Sequence, residues 1–285
     1  MSRVYRALEK AEEEKRQKVK EEPSLKVYEE KVAQNKEAPT LPFPEERIAR
    51  IKRVEETGLP PKEEVPLLVV PPNSLAEEEF RKLKTQIFLR LPNPPHSILI
   101  TSAAPQEGKT TVAVNLAMAI SREIYRKAIL IDGDLRRPGI RFERGQNRKG
   151  LSNYLSDETP LAEILTNSQI KNLRIITAGS STNKSSELIG SKKMGELLKS
   201  LNESGEDTYI LIDSPPIISA AEPISLSKLV DGIILVVKAN QTHKEAVLRA
   251  VNGLDREKII GVVLNQIDLK SQKYYEKDYY RNYGK

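Results

Sequence analysis

Three short stretches set charged and hydroxyl side chains where phosphate chemistry needs them. AAPQEGKTT (103–111) brings together Gly108, Lys109 and Thr110, GDLRRP (133–138) follows Asp132 and carries Asp134 and Arg136, and SPPI (214–217) follows Asp213. A Gly-Lys-Thr run between a strand and a helix is the setting of a phosphate-binding P-loop. Backbone N–H groups across Gln106, Glu107, Gly108, Lys109, Thr110 and Thr111 would then face phosphate oxygens. Lys109 would reach the β and γ phosphates, and the Thr110 hydroxyl would ligate Mg2+. Ala103 stands where the strict pattern has its first Gly. The tripeptide alone turns up by chance in roughly one chain of this length in ten, so the argument rests on where it falls. Asp132 and Asp134 can orient Mg2+ and accept the proton of an attacking hydroxyl. Taken alone, the same stretch reads as an acidic turn held by local Asx hydrogen bonds. Asp213, closing an apolar run, matches a Walker B carboxylate that holds Mg2+ directly or through water. Asn265 could read an adenine edge through its amide, although turn propensity explains Asn there equally well. His96 and His243 have no ligand-like companions and suit surface or capping roles.

Such residues need strand ends to carry them, because ligands of open α/β sheets sit beyond the carboxyl ends of the strands. Short apolar runs at 97–102, 128–132, 173–177, 209–213, 232–237 and 259–265 read as strands covered on both faces. Helical patterns fill the gaps at 109–124, 186–201 and 243–254. An earlier helix spans 74–91, with Ser74 and Glu77 as a capping box and Leu75, Phe80, Leu83, Ile87 and Leu91 as its apolar face. The alternation predicts a single α/β domain over 67–269, a P-loop NTPase-like, mainly parallel sheet flanked by helices on both faces.

What flanks this domain is of another kind. Residues 1–66 hold 15 Lys or Arg, 15 Asp or Glu, seven Pro and one Gly, a balanced polyampholyte that predicts a disordered leader. Val4, Ala7, Leu8 and Ala11 mark a narrow apolar stripe on a short N-terminal helix, either a docking helix or a transient one. Five of the ten Tyr crowd into the last 12 residues: Tyr274, Tyr275, Tyr279, Tyr280 and Tyr283. Interleaved with charged residues, they cannot all be burying their rings, and 270–285 predicts a mobile tail of net charge +3. The absence of Cys excludes a disulfide framework and fits a reducing compartment. No apolar run is long enough to span a bilayer, and no signal-peptide segment opens the chain. A cytoplasmic protein without a nucleic-acid partner is expected, with any membrane attachment supplied by another protein.

These residues together resemble the bacterial tyrosine kinases, P-loop protein kinases of polysaccharide assembly, from about residue 66 to the terminus. ILIDGDLRRP (129–138) and ILIDSPPI (210–217) look like that family's second and third Walker-type motifs, and the tail looks like its autophosphorylation cluster. SSELIGSKKMGELL, VDGIILVVKANQT and MSRVYRALEKAEEE are also similar to family segments. The resemblance implies ATP and Mg2+ as cofactors, Lys109 and Thr110 on the nucleotide, Asp132 as metal-linked base, Asp134 as its support and Asp213 completing the Mg2+ shell. It implies the five tail tyrosines as phosphoacceptors, a homo-oligomeric ring, a transmembrane chain-length or co-polymerase protein as activator, and a phosphatase. The family's oligomerisation motif reads Glu78, Arg81, Lys84 here, with Lys in place of a bidentate Arg. Gln106 stands where many members have Gly. Two other functions fit the same motifs: a nucleotide-binding adaptor with weak catalysis, and a partition or septum-positioning ATPase switch. The switch typically needs an extra Lys early in the loop, which AAPQEGKTT lacks, and it has no use for the tail.

Overall fold

The computed structural model describes residues 69–140, 149–203, 205 and 207–267. The leader, its apolar stripe and the tyrosine tail lie outside the described residues. Seven strands make one sheet: β1 (Ser97–Ser102), β2 (Lys127–Asp132), β3 (Thr166–Asn167), β4 (Leu173–Ile176), β5 (Thr208–Asp213), β6 (Gly232–Lys238) and β7 (Ile259–Asn265). Their order is β3-β4-β2-β5-β1-β6-β7, parallel throughout except that β3 runs antiparallel to β4. Two residues carry no periodicity, which is why β3 is invisible in the sequence.

Both faces of the sheet are covered, as its unalternating apolar strands require. Ile98 and Ile100 of β1, Leu130 of β2 and Leu211 of β5 pack under helices α1 (Leu75–Arg90) and α2 (Lys109–Ser121). Leu99, Ile129, Ile131, Ile210 and Ile212 face the other layer. That layer is built from α3 (Leu151–Ser156), α4 (Leu161–Ile164), α5 (Ser185–Ile189), α6 (Lys192–Asn202) and α7 (Glu222–Leu229). The last helix, α8 (Lys244–Gly253), closes over Leu235 and Val237 of β6 through Ala246, Val247, Ala250 and Val251. Every residue of α2 from Val112 to Ser121 is buried. A helix apolar all round belongs to the interior, and its immobility fixes the loop that precedes it.

Four expectations change in detail. Ser74 Oγ accepts the Glu77 N–H at 3.2 Å, but the Glu77 carboxylate reaches back to Asn73 N at 2.6 Å instead of Ser74, so the capping box is displaced by one residue. Leu75 is 40% exposed while Phe88, outside the predicted apolar face, is buried against Tyr209 with ring centroids 4.8 Å apart. The helix predicted over 186–201 is two, α5 and α6, broken at Gly190 and restarted by Ser191, whose Oγ accepts the Met194 N–H. Strand β7 is not covered on both faces: it is the sheet edge, and Val262 and Leu264 are more than half exposed. No helix among the described residues is long and apolar enough to cross a membrane.

Leu130, at the sheet centre, is fully buried. Leu130→Ala should cost about 2–5 kcal/mol of stability, the range for a buried Leu truncated to Ala, read as a lowered urea midpoint with an unchanged slope.

Candidate phosphate and metal site

The carboxyl ends of β1, β2, β5, β6 and β7 meet at one edge of the sheet, and the sequence-predicted residues gather there. Between β1 and α2 the backbone reverses through Gln106 (φ 62°) and Gly108 (φ 86°). At φ 86° a side chain on Gly108 would be strained, and its Cβ would displace Asn265 Nδ2, which lies 2.0 Å from that point. Gln106 takes the left-handed conformation without being Gly, at a cost of roughly 1–2 kcal/mol. Glu107 turns its carboxylate into the protein, accepting from Ala104 N at 2.7 Å, Lys238 N at 3.4 Å and the Thr242 hydroxyl. Its side chain braces the loop against the connection from β6 to α8. Asn265, expected at the adenine, donates Nδ2 to the Glu107 carbonyl at 2.9 Å, and Gln266 Nε2 donates to the Gln106 carbonyl at 3.2 Å. Nothing local in the sequence singles out Thr242 or Gln266.

The carboxylates form a second corner. Asp132 and Asp213 are register partners at the ends of β2 and β5. Thr110 donates its hydroxyl to Asp213 Oδ2 at 2.6 Å, while Asp213 Oδ1 is buried with no hydrogen-bond partner among the described residues. Asp132 accepts the Asp134 N–H on Oδ1 at 3.1 Å and the Ile140 N–H on Oδ2 at 2.9 Å. Asp134 accepts the Arg137 N–H at 2.9 Å and stands 3.9 Å from Lys109 Nζ. The acidic turn is therefore present, and its Asx bonds shape the loop that presents Asp134 to Lys109. Closing over Thr110, Gly139 approaches so near that a Cβ there would sit 2.7 Å from Thr110 Cγ2.

Burial pushes Asp213 up to about 6, opposed by Lys109 and the Thr110 hydroxyl. Burial and the charge of Asp213 raise Asp132 well above the usual carboxylate range, against the Ile140 and Asp134 N–H groups. A cation would relieve both. The donors fit Mg2+: hard oxygens from one hydroxyl and clustered carboxylates, with an orphaned carboxylate oxygen at their centre. Among the described residues no three His, Cys, Asp or Glu form a cage for an ion, and Mg2+ commonly completes its shell with phosphate and water. Thr110, Asp213 and Asp132 are the residues that would hold it.

Outside this centre, Arg136 ties three loops together. Its Nε lies 2.8 Å from Ser185 Oγ and 3.0 Å from Glu222 Oε1, and Ser185 donates to Glu222 at 2.6 Å. Burial alone would raise the Glu222 carboxyl, but the Ser185 hydroxyl and Arg136 hold it below its usual value. On α1, Glu78 pairs with Arg81 at 3.0 Å, whereas Lys84 turns to Glu123 at the end of α2.

Comparison with known proteins supplies independent findings. A family profile described as an AAA domain matches residues 98–258. The chain is 32% identical over 213 residues to the tyrosine-protein kinase YwqD of Bacillus subtilis (strain 168), covering 73% of this chain and 88% of that protein. The solved chimerical protein CapA2B2 superposes with a TM-score of 0.63 at 28% identity, over 71% of this chain and 95% of that one. The kinase domain of the Escherichia coli tyrosine kinase ETK gives a TM-score of 0.63 at 25% identity, over 75% and 87%.

Two measurements test this site. Mg2+ needs the Asp213 carboxylate ionised, so the proton must leave first. Below about pH 6, Mg2+ affinity should fall by about tenfold per pH unit for each proton displaced, followed by calorimetric titration, and Asp213→Asn should reduce that dependence to the part that Asp132 contributes. Gln106→Gly relieves the left-handed side chain and should raise unfolding free energy by about 1 kcal/mol, measured in urea.

Proposed function

This chain belongs to the bacterial tyrosine kinases, and we propose that it transfers the γ-phosphoryl group of ATP to tail tyrosines of a neighbouring subunit, regulating polysaccharide synthesis or export. The observation that carries this reading is the corner where Lys109, Thr110, Asp134 and Asp213 meet beside a backbone loop shaped for phosphate. Bound Mg2+ would neutralise the β and γ phosphates. Lys109 positions those phosphates as a point charge, and Asp134, 3.9 Å away, keeps its ammonium in place. The tyrosine hydroxyl oxygen forms the new P–O bond, ADP leaves, and the phenolic proton passes to Asp132. Burial and the charge of Asp213 raise the proton affinity of the Asp132 carboxyl.

The tail fits the role of substrate. Tyr274, Tyr275, Tyr279, Tyr280 and Tyr283 sit in a segment of net charge +3. Each phosphate adds about −1.5 to −2 charge, so two reverse its sign and turn docking into release. Glu78 and Arg81 on α1 serve self-assembly in this reading, with Lys84 held by Glu123. A transmembrane chain-length or co-polymerase protein brings the cytoplasmic kinase to the membrane and activates it, and a phosphatase resets the tail.

Intact mass after incubation with Mg·ATP checks the proposal. The wild type should gain several phosphates, and Lys109→Ala and a variant with all five tail tyrosines changed to Phe should gain none. A wild type that hydrolyses ATP yet stays unmodified, with a membrane partner's cytosolic segment present, would sink the autokinase reading.

A further inference from the structure

The phosphate loop is held from one side by groups that take no part in phosphate chemistry. Asn265 and Gln266, consecutive at the end of β7, donate their side-chain amides to two consecutive carbonyls, those of Glu107 and Gln106. We propose that these two amides hold the phosphate loop in its nucleotide-binding shape and thereby tie the start of the C-terminal tail to nucleotide occupancy. The proposal rests on the P-loop reading given under Proposed function.

Successive N–H groups can converge on an anion only where the chain alternates between right- and left-handed conformations. Their carbonyls then diverge and need partners elsewhere. In this loop the left-handed residues are Gln106 and Gly108, and the carbonyls of Gln106 and Glu107 find those partners on Asn265 and Gln266. The seat for the Asn265 amide exists because Gly108 has no side chain, its missing Cβ falling 2.0 Å from Nδ2. Gln266 is itself left-handed at φ 56°. Strain of this kind persists where surrounding contacts over-determine it, and here its amide bond to the loop is one of those contacts. The Ala239 N–H donates to the Asn265 carbonyl at 2.9 Å, and Glu107 reaches Lys238 N and Thr242, so the ends of β6 and β7 and the loop form one unit. With Asn265 Nδ2 committed to the loop, its service to the nucleotide is positional.

The consequence for the tail is one of connectivity. Gln266 lies four residues before Lys270, where the basic tail begins. Displacing residue 266 strains or breaks its bond to the Gln106 carbonyl, and linkage makes the coupling reciprocal. Nucleotide binding should steady the tail root, and displacement of the tail root should loosen nucleotide.

The test uses full-length protein, with Mg·ADP and base-free Mg·pyrophosphate as calorimetric probes. Asn265→Ala and Gln266→Gly should each weaken both probes by the same factor, roughly threefold to tenfold, the equivalent of one neutral hydrogen bond. Gln266→Gly also relieves a left-handed side chain, so its melting temperature should hold or rise while affinity falls, which a merely structural role would not produce. In the wild type Mg·ADP should slow amide exchange across 265–270, and in Gln266→Gly this protection should be lost. Either variant binding both probes as tightly as the wild type overturns the proposal. Asn265→Ala weakening Mg·ADP alone makes Asn265 an adenine reader and also overturns it. A wild type that binds neither probe fails the nucleotide reading itself and the proposal with it.

Discussion

Asp213 closes the central strand with one oxygen on the Thr110 hydroxyl and the other buried without a hydrogen-bond partner among the described residues. An unpaired charge out of water is among the costliest groups a fold can carry, and burial shows in the upward shift of its carboxyl. A bound cation would offset that cost. Most of the surrounding architecture places and shields this carboxylate. Parallel pairing sets Asp132 beside it in register, the buried helix α2 fixes Thr110 against it, and the loop from 133 to 140 folds over Thr110 at Gly139.

The same economy governs the loop itself. Backbone N–H groups make a phosphate cradle only if the backbone stays in a conformation that costs energy, and Gln106 adds to that cost by lacking the freedom of Gly. Stability is therefore supplied from outside: the Glu107 carboxylate to β6 and its following turn, the amides of Asn265 and Gln266 from β7. A loop supported in this way can hold Gln106 in the left-handed conformation. The exposed edge at Val262 and Leu264 belongs to the strand that carries these amides.

Much of this was legible before any fold was known. Alternating apolar strands and helical patterns announced a doubly covered sheet, and Gly108, Lys109 and Thr110 at a strand-to-helix junction announced phosphate. Asp132, Asp134 and Asp213 followed from their positions at strand ends. Two local readings failed for tertiary reasons. Phe88 is buried because Tyr209 lies across from it, and β7, the sheet edge among the described residues, leaves Val262 and Leu264 on an uncovered face.

By itself the sequence determined six of the seven described strands and the candidate site residues at their ends, because each depends on spacing within a few positions of the chain. The tertiary structure alone decided which groups hold that centre in shape. Glu107 meets Lys238 131 positions away, Asn265 meets Glu107 across 158, and Gln266 meets Gln106 across 160. Such pairs follow from strand order, which sets β6 beside β1 and β7 beside β6. Periodicity assigns each strand its two faces but says nothing of its neighbours.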